Sequence, residues 1–344
     1  MLKFYKATVT SSLIALAIGV CSSTAVAEST AEKLAKGYEP PRLANGQPDF
    51  QGVWTNVSLT GLTRPARYKS LTMSEEDALK MQAMVEARQK AGLKPTDPNE
   101  GAPAKGSVGG YNSFWVASGE RLAKIDGKYR TSWIVEPENG QLPYSKKGME
   151  IFKAKQSEAR TNFDGPEPRS VGDRCLVGFG SSGGPPMLNV MYNNNYRIVQ
   201  SEDAVMILVE MNHDARIIRL SKEHKPEELS QWLGDSIAWW DGDTLVVKSK
   251  NFKEAEALRL YFSASYYMSE NAEVTERLTR ISDNELFYEF TVDDPEIYTQ
   301  PWRGEMVFNT TSDEIYEYAC HEGNYAMTNI LAGARKEEKD AKKK

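Results

Sequence analysis

The sequence predicts a mainly β fold: an antiparallel meander, closed as a barrel or strongly curved as a sheet, with two or three helices from the N-terminal half packed on it. Three observations predict this. Short apolar runs recur through the second half with turn residues between them, the pattern of consecutive hairpins. Asp241-Gly242 separates residues 236–240 from 244–249, and Asp-Gly between apolar runs is the chemistry of a two-residue hairpin turn. In residues 285–292, Leu286, Tyr288, Phe290 and Val292 alternate with Glu285, Glu289 and Thr291, so one face is apolar and the other polar.

Residues 1–27 read as a secretory signal. Lys3 and Lys6 supply the basic start, residues 13–20 the apolar segment, and Ala25-Val26-Ala27 the small-residue cleavage site. That run is too short to span a bilayer, and no later stretch is long enough. The alternative is a lipid anchor at Cys21, against which Val20 stands where a small residue is expected. The expected location is therefore periplasmic or secreted. Residues 28–47 read as a flexible lead, 48–335 as a single β-rich domain, and 336–344 as a charged, frayed tail.

PDFQGVW, residues 48–54, opens the ordered body. Gly52 lets the backbone pass close, and Trp54 either plugs a barrel floor or is an ordinary buried tryptophan. Residues 72–90 are the best helix: Ser74 caps it, Glu75, Glu76 and Asp77 suit its first turn, and Leu79, Met81, Met84 and Val85 give it apolar positions. Residues 91–110 are a loop, and 111–116 carry Phe114 and Trp115. A strand over 129–135, a turn over 137–140 and a helix over 145–159 come next. Residues 163–186 are rich in Gly and Pro. Hairpins follow at 196–200 with 204–211, 236–240 with 244–249, and 274–281 with 285–292. Strands at 305–309 and 315–319 close the series.

Composition limits the function classes. At 40% hydrophobic and 10% aromatic residues, the chain is globular rather than disordered. The formal charge of -6 becomes -8 once Lys3 and Lys6 leave with the signal, so the mature chain is a poor nucleic-acid binder. Cleavage also removes Cys21. Cys175 and Cys320 remain, and in an oxidising space a disulfide is the default, with two free thiols or a shared metal as alternatives.

Three constellations offer chemistry. The first is CHEGNYAMTNI, residues 320–330. On a regular strand His321 shares a face with Glu317, and a histidine beside carboxylates suits general acid–base work. Glu322 and Asn324 follow in a turn; the plain alternative is that His321 caps the strand end. The second is MNHDARIIRL, residues 211–220. A regular strand puts Glu210, Asn212, Asp214 and Arg216 on one face and His213 and Arg219 on the other. Such a row either faces solvent or lines a pocket, where Asp214–Arg216 or Glu210–Arg216 pairing would be needed. The third is YNNNY: Asn193, Asn194 and Asn195 either brace a tight turn or read a ligand's hydroxyl or carbonyl groups. Trp232, Asp235, Trp239 and Trp240 cluster after it, an arrangement that suits sugar or aromatic ligands as well as a hairpin core.

His213, His321 and a carboxylate lack HxH or HExxH spacing, so no metal is predicted. No cofactor is predicted either. The stretch Phe179-Gly180-Ser181-Ser182-Gly183-Gly184 has neither GxSxG order nor a helix to follow it. The expected activity is non-redox acid–base chemistry (a lyase, hydratase, isomerase or hydrolase) on a small polar or aromatic molecule. His321 is its acid or base, Glu322 or Asp214 the partner, and Arg216 or Arg219 the anchor for an anionic group. A non-catalytic periplasmic carrier and an envelope structural protein are the alternatives. A Cys175–Cys320 bridge would draw Arg174 and Asn193 to Asn195 toward His321 and Glu322, into one polar pocket.

The segments PDFQGVW, GGYNSFW, YRTSWIVEP, Arg174-Cys175, YNNNYRIVQ, EMNHDARII, WLGDS, the Trp240-Asp241-Gly242-Asp243 hairpin, ERLTR, YEFTVDDP and YEYACHEGN together resemble one family of exported bacterial proteins, from residue 48 to about 335. That resemblance implies secretion and a shared fold, and no reaction. A slighter likeness to lipocalin-type barrels rests on Gly52-Val53-Trp54 and the meander; the helical lead over 72–160 departs from it.

Overall fold

The computed structural model describes residues 28–93, 99, 119–178, 181–253, 258–259 and 266–343. The predicted signal, the Cys21 anchor, most of the 91–110 loop, Phe114, Trp115 and the Phe179-Gly180 pair lie outside the described residues.

In chain order the elements are α1 (Thr30–Leu34), β1 (Gly52–Thr55), β2 (Thr72–Met73), α2 (Glu75–Gly92), β3 (Lys124–Ile125), β4 (Lys128–Arg130), β5 (Ile134–Glu136), α3 (Lys146–Thr161), β6 (Asn195–Gln200), β7 (Ala204–Val209), β8 (Ala215–Leu220), β9 (Asp235–Asp241), β10 (Thr244–Lys250), β11 (Leu258–Arg259), β12 (Tyr266–Tyr267), β13 (Glu273–Ser282), β14 (Glu285–Asp293), β15 (Trp302–Thr310) and α4 (Tyr325–Ala341). Nine strands close a barrel in the order β1-β6-β7-β8-β9-β10-β13-β14-β15, sealed where Trp54 of β1 pairs with Thr310 of β15. Short β5 branches off β15, and β2, β4 and β3 form a small separate sheet.

The three hairpins stand where turn chemistry puts them. Gly242 takes φ 59° in the Asp241-Gly242 turn, a conformation that glycine adopts without a side-chain clash. Leu286, Tyr288, Phe290 and Val292 are all buried on the inner face of β14. Large side chains fill the interior: Trp54, Tyr196, Tyr288, Phe290, Trp302 and Phe308 belong to one core cluster. Tyr196, Tyr288 and Phe290 meet their ring neighbours at centroid distances of 5.2–5.7 Å in tilted or edge arrangements. Gly304 of β15 leaves the space that the Phe290 ring occupies. Trp54 is buried here. Its indole N–H donates to the Phe50 carbonyl at 2.8 Å, and the Arg280 guanidinium lies 5.6 Å above its ring.

Several expectations are corrected. The meander is not wholly antiparallel: β8 and β9 run parallel, registered only through Arg219 with Ile237 and Leu220 with Ala238. A parallel neighbour needs a long return, and residues 221–234 supply it. The strand expected over 129–135 is two strands, β4 and β5, with buried Thr131 and Ser132 between them. Residues 315–319 belong to no strand; with residues 311–314 they form a strap at the barrel end, its Tyr316 N–H given to the Glu210 carboxylate instead of to a ladder. Helix α2 starts after Ser74 as expected, yet Leu79 and Met84 are exposed and only Ala78 is buried. The lead is partly ordered: Ser29 and Glu32 form a capping box on α1, and Ala31 packs with Ile125 and Phe287 outside the barrel. Residues 336–341 continue α4 rather than fraying, with Lys336 and Asp340 paired one turn apart.

Candidate functional site

One end of the barrel gathers the irregular backbone. Cys175, Asn193, Asn212, His213 and Asn251 all have φ between 44° and 61°, a left-handed conformation that costs energy for residues other than glycine. Cys175 and Cys320 are joined, with their Cα atoms 5.6 Å apart, so the 170–178 loop is tied to the strap and to α4. Three hollows open around this rim.

The largest, a cleft of about 930 Å³, lies between the YNNNY turn, the end of α2 and the strap. Asn194 is buried and its amide bonds both the N–H and the C=O of Val190, at 2.7 and 2.8 Å, which braces the turn. Asn193 and Asn195 line the cleft beside Tyr192, Tyr316 and Tyr318. Tyr192 and Tyr318 stack at 6.2 Å, and burial with the Tyr192 contact pushes the Tyr318 phenol up to about 12. Glu210 reaches the cleft from the end of β7. Its oxygens accept the backbone N–H of Tyr316 at 3.3 Å and of Asn195 at 3.2 Å, and the Asn193 side chain bonds it too. The residue is 4% exposed, and among the described residues no cation lies within ion-pair distance of its carboxylate. Burial pushes its carboxyl above the ordinary carboxylate range, nearby Asp313 adds to this, and the three N–H bonds offset only part. Glu120, Asp313 and Glu317 also line the cleft, and its described lining carries no Lys or Arg.

The second hollow, about 440 Å³, exists because β8 and β9 are splayed. Ala215 to Ile218 have no ladder partner on the β9 side, and the hollow lies along that edge. Asp214, Arg216, Arg219 and Asp235 line it together. Arg219 Nη2 meets both oxygens of Asp235, at 3.0 and 2.9 Å. Burial raises the Asp235 carboxyl, but the Lys225 N–H, His224 and Arg219 outweigh it and hold the group below its ordinary range. Arg216 is 3% exposed and points inward to Glu276 of β13, at 3.0 Å from Nη1 to Oε1 and 2.5 Å from Nη2 to Oε2. Tyr288 donates to the same Glu276 at 2.6 Å, so the pair sits in a buried polar network with Ser236 and Ser249.

The third hollow, about 300 Å³, surrounds the disulfide and includes Asn324, which donates to the Asp173 carbonyl at 2.8 Å and caps α4.

The sequence-predicted residues therefore divide. Asn193, Asn194 and Asn195 share the first hollow, Asp214, Arg216, Arg219 and Asp235 the second, and Cys175, Cys320 and Asn324 the third. His321 and Glu322 are exposed on the turn before α4, and His213 is exposed on the 211–213 turn. None of the three lines any of these hollows or makes a side-chain hydrogen bond among the described residues. Arg174 turns away, its guanidinium reaching the Glu167 carbonyl at 3.4 Å. The expected single polar face also breaks up, because positive φ at Asn212 and His213 ends β7 and re-aims the chain before β8. Sequence reasoning missed Glu276, Tyr192, Tyr318, Lys225 and Lys253, and treated Glu210 only as a partner for Arg216.

Among the described residues no group of three His, Cys, Asp or Glu could hold a metal ion, and no helix is long and apolar enough to cross a membrane. Compared with known protein families, curated proteins and solved structures, the chain matches none.

Proposed function

We propose that this is an exported protein that binds a small polar or aromatic molecule in the Glu210 cleft and acts on it by acid–base chemistry. Glu210 carries the proposal: a buried carboxylate without a cation, raised by its surroundings, at the wall of a cleft of ligand size. Such a group is poised to take or give a proton nearer neutrality than an ordinary glutamate. The acid or base is thus moved from His321 to Glu210. Tyr192, Tyr316 and Tyr318 offer flat apolar contact, Asn193 and Asn195 offer polar contact, and the acidic lining selects neutral or cationic ligands over anions. The Cys175–Cys320 bond fits export to an oxidising space.

A carrier with no turnover is the second reading, favoured by one observation: both Glu210 oxygens already accept backbone N–H groups and so brace the strap. Two measurements on the full exported chain separate the readings. Tyramine, an aromatic amine, should bind in calorimetry while benzoate does not; equal binding of both sinks the cleft assignment. Mass spectrometry of a metabolite extract incubated with wild type and Glu210→Gln should show a product formed only by wild type. An enzyme loses that product in Glu210→Gln, and a carrier forms none with either protein.

A further inference from the structure

We propose a second ligand site, independent of the Glu210 cleft: the gap between β8 and β9 binds a small planar organic carboxylate. The gap follows from topology, since the crossover over 221–234 brings β9 in parallel and pairs it with β8 only at Arg219 and Leu220. The hollow lies along that unpaired edge, between exposed Ala215 and Ile217 of β8 and the 230–236 stretch, with buried Arg216 and Ser236 at its floor. Its volume of about 440 Å³ suits a molecule of one ring and a charged group.

Charge selects the ligand. Arg216, Arg219, Lys225 and Lys253 line the gap, in a chain whose overall formal charge is negative. Two of these cations are spoken for: Arg216 by Glu276, and Arg219 by Asp235. Asp235 sits 4.0 Å from Lys225 as well, but its two oxygens are already taken by Arg219, His224 and the Lys225 N–H. Lys253 has no carboxylate within ion-pair distance among the described residues; its ammonium lies 4.6 Å from the Trp232 ring centroid. Asp214 also lines the gap, accepting the Gly178 N–H at 2.8 Å. Lys253 therefore presents a positive charge with no carboxylate at ion-pair distance among the described residues, beside the indole of Trp232, and Lys225 shares Asp235 with Arg219. A carboxylate there replaces missing counter-charge, and a flat ring attached to it lies against Trp232 and the Leu233 side chain. Arg216 at the floor is held by Glu276 and Ser236 and shapes the end of the gap.

The two clefts select opposite charges. The described lining of the Glu210 cleft holds acids and no Lys or Arg, whereas the β8–β9 gap holds four cations against Asp214 and Asp235, so one probe does not serve both.

The test uses 4-nitrobenzoate, whose nitro group quenches a neighbouring indole. Titrated into the full chain, it should quench tryptophan fluorescence saturably, and calorimetry should give the same affinity. Neutral 4-nitrobenzyl alcohol should not saturate. Lys253→Glu reverses an exposed charge that holds no ion pair among the described residues and should weaken binding at least about tenfold, the loss of roughly one charged contact. Trp232→Phe should remove the quench while weaker binding persists in calorimetry, and Glu210→Gln should leave the affinity unchanged. The site is refuted by any of three results: the alcohol binding as well as the carboxylate, unchanged affinity in Lys253→Glu, or no saturation by about 10 mM, beyond the range of ordinary weak complexes.

Discussion

Replacing Cys175 and Cys320 with serine tests how the rim is held. The bridge joins positions 145 residues apart. On the chain-entropy model, opening a loop of that length removes about 5 kcal/mol of stability. That figure is an upper limit, because the C-terminal segment has a cheaper escape than global unfolding. Helix α4 buries none of its side chains. What else ties residues 313–341 to the body is a short set: Tyr316 N–H on Glu210, Tyr318 stacked on Tyr192, Asn324 on Asp173, and Arg335 on the Phe163 and Asp164 carbonyls. The exposed Asn324 and Arg335 contacts contribute about 0–1 kcal/mol each, and the part-buried Glu210 bond and Tyr192–Tyr318 stack about 1 kcal/mol each. The segment should therefore detach locally while the nine-stranded barrel stays folded. At roughly 2 °C per kcal/mol for a domain of this size, Tm should fall by at most about 10 °C. Hydrogen exchange read by mass spectrometry locates the opening. Peptides within 313–341 should exchange at least about tenfold faster, an opening energy lower by roughly 1.4 kcal/mol, while β13 to β15 keep their protection. Unchanged exchange over 313–341 with a Tm shift below about 2 °C, less than roughly 1 kcal/mol, would show that the rim does not depend on the bridge.

Four further outcomes are expected. Trp54→Ala should cost about 3–5 kcal/mol in denaturant unfolding, as for a buried tryptophan, and a cost under about 0.5 kcal/mol would place the side chain at the surface. Glu276→Gln should cost about 3–5 kcal/mol by stranding the Arg216 charge, and adding Arg216→Met should restore most of it; a double variant no better than the single argues against the pair. Gly148→Ala should loosen α3, because the added methyl overlaps the Ile297 carbonyl; unchanged near-ultraviolet circular dichroism and Tm would contradict this. The Glu210 carboxyl is raised on folding, so its share of stability is present below its unfolded value and is lost as pH rises through the folded one. Glu210→Gln should flatten that part of the pH–stability curve, and an identical curve speaks against a raised carboxyl.

The barrel was legible where one local signal decides the outcome. Asp241-Gly242 fixes a turn whatever surrounds it, and the alternation in 285–292 survives because β14 has one face in the core. Ser74 and Ser145 cap their helices by purely local bonds. The reading failed where distant parts decide. The parallel β8–β9 pair depends on where the 221–234 return lands, which hydropathy does not encode. The 315–319 run looks like a strand, but β15 already has β14 and β1 as partners, so no ladder is left for it at that edge. His321 drew attention through rarity and its neighbours in sequence, and those neighbours are not its neighbours in space. Glu276 shows the opposite case. Its parity with Val274 and Leu278 places a carboxylate on the buried face of β13, and a charge on an apolar face announces a buried partner. That signal was present, although it does not say that the partner is Arg216.

The packed interior argues for function at the rim. A carrier that swallows its ligand needs an empty barrel, and here Tyr196, Tyr288, Phe290, Trp302 and Phe308 occupy it. The same rings bury the Arg216–Glu276 pair, and burial of an ion pair is seldom the cheapest way to stabilise a core. A fold that only needed stability could place apolar residues of similar volume there. The pair sits where the β8–β9 splay brings the interior into contact with a hollow, and Arg216 is the residue shared by both. The pair sets a compensated cation at that floor, which makes the end of the gap polar. On the proposal of a β8–β9 ligand site, the ion pair is explained by the hollow it borders rather than by the stability of the barrel it sits in.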